Sequence, residues 1–425
     1  MLVIRPFRGI IYNRDKVGDL SKVVAPPYDI ISPSEQDFYY QIHPYNIIRI
    51  ILGKDEATDR SGKNKYFRAA SFFRDWLSRG ILKREPTSSI YTYCQKYNVD
   101  DEEVERKGFI ALMKLEQFSS GVVFPHEEVF SEPQEDRLNL LRACHANFSA
   151  IFTLFNGSGG KIDNLLEEEE LVFEFEDFAG IKHRLSAIRD QELINKICYS
   201  MQDKKVLIAD GHHRYLTALR FREEMRRRAS FSPGADYTMV YFLDMNSRGV
   251  TILPVHRLIG GLTLTQTQKL VKDIERFFYK KPFKKLAVDE KDEIVSKRLL
   301  SEVKKIGGCS FGIYTKKEGY FLLFPKDPQP FLKKVKSAIL DELVKNLLNK
   351  KSLKKGKEIH FTTSTAEAIE EVKKGRFQVA FFLAPTTIQE VRDVALSGGK
   401  MPPKSTYFYP KLLSGLVMRD LEDAV

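Results

Sequence analysis

The chain has 425 residues, 43% of them apolar, and a formal net charge of +11. That is length for two or three domains, with ample apolar material for their cores. No run approaches the ~20 apolar residues of a membrane span. The start, MLVIRPFRGIIY, has no apolar leader with a cleavage site, and the four cysteines show no CxxC or other metal spacing. Membrane, secreted and zinc-module classes are therefore not expected, and a reduced cytoplasmic protein is. The charge suits anionic partners such as phosphorylated small molecules or nucleic acid. The lysines, however, are spread over many helices rather than gathered with interleaved aromatics.

In chain order, RPFRGIIY reads as a first strand. VVAPPYDIISPSE is a loop that ends in a helix start at Pro33-Ser34-Glu35. NIIRIIL (46–52) reads as a central strand, apolar on both faces. KYFRAASFFRDWLSRG has helical spacing at Phe67, Ala70, Phe73 and Leu77, with Gly80 as its stop. SIYTYCQKYNV and KGFIALMKLEQ form an antiparallel pair. SEPQEDRLNLLRACHANFSAIFTLF is a helix from about Glu135 and then a strand ending near Phe155. NGSGGKIDNLLEEEE is a glycine-rich loop before a helix. Its GSGGK lacks the spacer and the Ser/Thr of a P-loop. LVFEFEDF and IKHRLSAI form a hairpin around Ala179-Gly180, and DYTMVYFLDMN is a buried strand. After about residue 250 come lysine-rich helices and the hairpin CSFGIYTKKEGYFLLFP. The expected class is α/β (α+β), with a core over residues 1–250 and a C-terminal lobe over 251–425. The proline- and tyrosine-rich tail of that lobe, MPPKSTYFYPK, is a candidate to return to the site.

The chemistry concentrates in VLIADGHHRYLTALRF, residues 206–221. Val206 to Ala209 make a buried strand, Asp210-Gly211 turn the chain, and helical spacing follows. His212, His213 and Arg214 then stand at a helix N-terminus, where unpaired amides and the helix dipole favour an anion. Gly211 admits a bulky group to the backbone, and Arg214 adds a guanidinium fork for phosphate. An imidazole bonded to a phosphoryl oxygen suits the histidine pair better than zinc, because no further ligands stand at matching spacing. Asp210 has two open roles: capping the helix, or holding Mg²⁺ beside the phosphates.

ADGHHRYLTAL resembles the signature of the DUF1015 family. The likeness extends over nearly the whole chain, through RPFRGIIY, VVAPPYDIIS, HPYNIIRIIL, FPHEEVFSEPQEDRLNLLRACHANFSAIF, TILPVHRLI and MPPKSTYFYPKLLSGLV. The DGHHR turn is similar to that of the ParB/sulfiredoxin-like superfamily, in which free-serine kinases carry a D-G-H-x-R version. The resemblance implies a ParB-like nucleotide-binding core with a second lysine-rich lobe. It also implies phosphoryl transfer from ATP or ADP, with Mg²⁺, to the hydroxyl of free L-serine, giving O-phosphoserine. Sulfiredoxin has a cysteine where His212 stands, so its thiol chemistry is not expected.

Phosphoryl transfer also requires a group to take the hydroxyl proton. A family H-E pair maps onto His126 and Glu127. Glu128 departs from the family pattern and leaves the base open between the two glutamates, with Glu127 the choice. The expected catalytic set is Glu127, His126, Asp210 and His213. The nucleotide set is Gly211, His212, His213 and Arg214, with Lys404, Ser405 and Thr406 reaching a phosphate from the tail. For the amino acid, Arg8 and Arg137, with Arg5, are candidates for the carboxylate, and Tyr28 and Asp29 for the ammonium. Asp210 is the only expected metal ligand. ATP and ADP stay open as donors. The alternative is a ParB-like nucleotide-binding regulator or nucleic-acid-binding protein without kinase activity. No helix-turn-helix signal supports nucleic acid as a partner.

Overall fold

A computed structural model describes residues 1–99, 102–128, 132–157, 161–167, 169–227, 233–287, 290–329, 335–349, 353–354 and 357–423. The chain divides into two compact units: Met1–Thr251 with Pro410–Val425, and Ile252–Tyr409. Both are mixtures of helix and strand, an α/β protein.

The first unit is built on a mixed sheet of nine strands among the described residues. From one edge the order is Val123–Phe124, Val206–Asp210, Ile151–Phe155, Tyr237–Asp244, Glu102–Lys114, Ile90–Val99, Lys182–Ile188 and Glu170–Glu176. Ile4–Arg5 also pairs with Glu102–Lys114. Two neighbouring pairs are parallel, Val123–Phe124 with Val206–Asp210 and Ile151–Phe155 with Tyr237–Asp244; the others are antiparallel. The strands nearest the site are almost continuously apolar and buried, VLIAD, IFTLF and YTMVYFLD, as a sheet covered on both faces demands. The helices Gln191–Met201 and His212–Arg226 supply Ile194, Ile197, Tyr215 and Leu219 to one core with Ile151, Ile208 and Val240.

The three expected hairpins form, over Ile90–Lys114, Glu170–Ile188 and, in the second unit, Phe311–Pro325. Ser32 caps the helix Pro33–Ile42 in a reciprocal box with Glu35, as Pro33-Ser34-Glu35 suggested. Three readings fail. The first strand is broken into Ile4–Arg5 and Ile10–Tyr12. The run at 46–52 is a single helical turn, Ile48–Ile51, instead of a central strand. The cause is Asn46, whose buried side chain accepts from the Ile48 amide at 2.9 Å and donates to the carbonyls of Lys22 at 2.7 Å and Val24 at 3.0 Å. In the helix Lys65–Ser78 the inner face is Ala69, Ala70, Phe73 and Trp76, and Phe67 points to solvent. Trp76 takes the inside because its ring packs on Tyr12 and Tyr45.

The tail from Pro410 belongs to the first unit. Arg419–Asp420 pairs with Ala146–Asn147, and bridges join Ser414 to Ala25 and Met418 to Ile10. Buried Arg419 donates to the carbonyls of Tyr237 at 2.7 Å and Gly234 at 2.8 Å. Among the described residues of the second unit, six antiparallel strands are sandwiched by helices. Leu264–Ile274 and Lys336–Leu347 pack on one face, Asp292–Ile306 and Thr365–Lys373 on the other. No helix among the described residues is long and apolar enough to cross a membrane.

Candidate functional site

The strand Val206–Asp210 has a bulge against its neighbour: Ile208 pairs with Thr153, while Asp210 already pairs with Phe152. Bulges re-aim the side chains that follow them. Gly211 comes next at φ +94°, a left-handed conformation that costs glycine little. The helix His212–Arg226 starts there, with the Tyr215 amide bonded to the Gly211 carbonyl at 3.0 Å. The N-cap residue is Gly211, which has no side chain to bond the first turn. The amides of residues 212–214 precede the first intrahelical bond and emerge at the positive end of the dipole.

Arg214 folds back over this turn. Its Nη1 donates to Ser149 Oγ at 2.9 Å and to the Ala150 carbonyl at 2.6 Å, and its Nη2 donates to Asp210 Oδ2 at 2.8 Å. A Cβ on Gly211 would lie 2.9 Å from Nη2 and 3.0 Å from Nε. The guanidinium is thus partly committed to the protein, not the wholly open fork expected. Its Nε–H and second Nη2–H have no protein acceptor among the described residues, and that edge lies against the glycine. The other oxygen of Asp210 takes Lys411 Nζ, from the end of the tail named as a candidate to return to the site, though Lys411 itself was not singled out. Lys411 is delivered by its neighbours. The Pro410 carbonyl accepts from buried Arg106, and the Lys411 carbonyl accepts from Gln95 Nε2 at 3.1 Å.

His126 and His212 meet edge to face, with ring centroids 4.7 Å apart. His126 Nδ1–H donates to the Ile208 carbonyl at 2.7 Å, and its backbone amide donates to His212 Nε2 at 3.3 Å. These bonds pin the loop carrying Glu127 to the strand and helix of the turn. His126 Nε2 stands 3.7 Å from Glu127 Oε1, and the Glu127 side chain is mostly buried, whereas Glu128 is exposed. Burial, and then the neighbouring His126, push the His212 pKa down to about 3. His212 is therefore neutral and buried, and because its Nε2 accepts a backbone amide its proton sits on Nδ1. His213, the next residue, is only partly buried.

Tyr28 and Arg137 come together as a stacked pair, with the guanidinium 3.8 Å from the ring centroid. They line a cavity of about 70 Å³ with Ser149, Arg214 and Thr217. Burial pushes the Tyr28 hydroxyl up to about 12, so it stays a donor. Arg137 is held by Asp136 Oδ2 at 2.8 Å from Nε and by the Ile51 carbonyl at 2.7 Å, so its charge is already balanced. Asp29 is exposed beside Tyr28. Arg8 and Arg5 are engaged elsewhere, with the Glu85 carbonyl at 3.1 Å and the Tyr237 hydroxyl at 3.0 Å. Lys404, Ser405 and Thr406 lie in the second unit. There Ser405 Oγ bonds Ser337 Oγ at 2.7 Å, and the Ser405 carbonyl accepts from Thr386 at 2.9 Å. No group of three or more His, Cys, Asp or Glu among the described residues could hold a metal by itself.

A family model described as a protein of unknown function, DUF1015, matches residues 4–348. The chain belongs to the DUF1015 family. Similar solved structures include a free serine kinase in complex with AMP, with 16% identity over 72% of this chain and 90% of that one, at a TM-score of 0.37. A conserved hypothetical protein from Pyrococcus furiosus gives 16% identity, 74% and 96% coverage and 0.37. SbnI with C-terminal truncation from Staphylococcus aureus gives 10%, 72%, 85% and 0.35. No curated protein matches the chain. At scores this low, the roles of the site residues in this DUF1015 protein must come from its own geometry.

Two outcomes test this geometry. Gly211→Ala places a methyl against the Arg214 guanidinium at a left-handed φ; it should cost about 1–3 kcal/mol in urea unfolding. A loss under 0.5 kcal/mol, within the ordinary range for surface substitutions, would contradict the close approach. His212, and His256 in the second unit at about 3 by burial, are neutral when folded. An unfolded imidazole titrates near ~6.5, so between these values the unfolded chain binds more protons. Stability is full above about pH 6.5 and falls toward pH 3, by roughly 1.4 kcal/mol per pH unit per histidine. His212→Asn should flatten that slope by about one proton; an unchanged slope would show that His212 is not buried neutral.

Proposed function

We propose that this protein is a nucleotide-dependent kinase that phosphorylates the hydroxyl of free L-serine to O-phosphoserine, with ATP or ADP as donor. One observation carries the reading. A helix N-terminus that starts at a glycine, the Arg214 guanidinium lying against that glycine and the Asp210–Lys411 pair converge at one turn. Amides and cations so grouped suit a polyphosphate.

The terminal phosphates lie on the amides of residues 212–214, with Arg214 Nε–H and Lys411 as counter-charges. Acceptor serine enters beside Tyr28, Ser149 and Arg137, with Asp29 the partner for its ammonium. Glu127 takes the proton from the serine hydroxyl as its oxygen bonds to phosphorus. The bond from phosphorus to the bridging oxygen breaks, and ADP or AMP leaves with that electron pair. His126 holds Glu127 in place through its tie to Ile208, and His213 is within the same turn for contact with phosphate.

Asp210 is a single carboxylate between two cations, which fits a Mg²⁺ brought in with the nucleotide and not one held by the protein alone. When bound, Mg²⁺ neutralises charge on the transferred group. The chain should thus show no Mg²⁺ binding by calorimetry without nucleotide; tight binding to the free protein would contradict this reading of Asp210.

Mass spectrometry of purified protein with Mg²⁺, each nucleotide and a panel of amino acids tests the activity. Phosphoserine is expected, and no phosphorylated product with any acceptor would overturn it. Glu127→Gln should lower turnover on the order of a hundredfold, as loss of a general base does, with nucleotide affinity spared. Glu128→Gln should be nearly silent. The reverse pattern would move the base by one residue.

A further inference from the structure

The positive charge is not shared between the two units. Residues 252–409 carry 31 Lys and Arg against 17 Asp and Glu, a net +14; the rest of the chain carries 37 against 40, a net −3. The stretch Arg276–Lys285, RFFYKKPFKK, has five basic and four aromatic residues and no acid. Lysines and aromatics are thus interleaved here, contrary to the expectation from the sequence.

This stretch contains the strand Phe278–Phe283, at the edge of the second unit's sheet. Alternation along it buries Phe278 and turns Tyr279, 53% exposed, outward, and Phe277, in the turn just before the strand, is 45% exposed. Tyr279 pairs with Phe324, with ring centroids 5.4 Å apart, and Lys326 Nζ stands 5.6 Å from the Tyr279 ring. Lys280 and Lys285 are balanced by carboxylates, Glu318 at 2.8 Å and Asp292 at 3.3 Å. Exposed Lys281, Lys284 and Lys326 have no carboxylate partner among the described residues.

We infer that this sheet edge binds single-stranded nucleic acid. Half-exposed rings cost free energy in water and offer stacking faces to unpaired bases, while unbalanced ammoniums meet phosphates. Phe277 at the end of the turn and Tyr279 on the strand are two residues apart, so they can offer faces to neighbouring bases. A duplex hides its base faces, and would leave both rings unused. An acidic membrane is favoured by an amphipathic helix, not by one ring in a turn and one on a strand that contains Pro282.

Fluorescence anisotropy of the full chain with a labelled single strand of about 15 nucleotides tests this, beside the same sequence as a duplex and beside phosphatidylserine vesicles. Tighter binding of the single strand is expected. Tyr279→Ala should weaken it about tenfold with the salt slope retained, and Tyr279→Phe should preserve it. Lys281→Gln with Lys284→Gln should lower the slope of log affinity against log salt by about 1.4, with the melting temperature as control for folding. No binding of the single strand at ~50 mM salt, equal or tighter binding of duplex or vesicles, or variants that bind like the parent would each overturn the inference.

Discussion

Asp210 is the point on which the first unit's site depends. Its carboxylate sits between Arg214, four residues on in the helix, and Lys411, from the far end of the sequence. All three side chains are largely buried. Removing one partner of such a cluster strands a charge away from water, which costs about 3–5 kcal/mol where a buried pair is broken. The cluster therefore fixes strand end, helix start and tail together. The bulge before Asp210 and the left-handed Gly211 place the carboxylate there.

The same arrangement explains why Arg214 is both structural and open. Three of its five N–H donors hold Ser149, Ala150 and Asp210, which fixes the planar group. The remaining donors are pre-oriented, so little side-chain entropy is lost when an anion binds. His212 follows the same logic. Its neutral, buried imidazole accepts the amide that ties the helix start to the loop of His126 and Glu127.

The strand-turn-helix at 206–226 was legible because its apolar period changes at an Asp-Gly turn. The hairpins were legible from alternation. The run at 46–52 was not: an unbroken apolar stretch has no period with which to tell helix from strand, and the deciding contacts of Asn46 lie more than twenty residues away. The tail ending at Lys411 was named as a candidate to return, but its pairing with Asp210, 201 residues away, was not legible for the same reason. Arg137 and Tyr28, named for the two ends of the amino acid, stack on each other, but the sequence did not reveal that adjacent Asp136 pairs with Arg137. The lysine-rich second lobe was legible in the sequence, and the unit boundary at Thr251 gave its size, +14 against −3.

A crystal structure of the protein grown with ADP or a non-hydrolysable ATP analogue is the most direct test of the central claim. The account predicts phosphate oxygens within hydrogen-bond reach of the amides of residues 212–214 and of Arg214 Nε, beside Lys411. Nucleotide bound elsewhere, with Arg214 and Lys411 unchanged around Asp210, would contradict it.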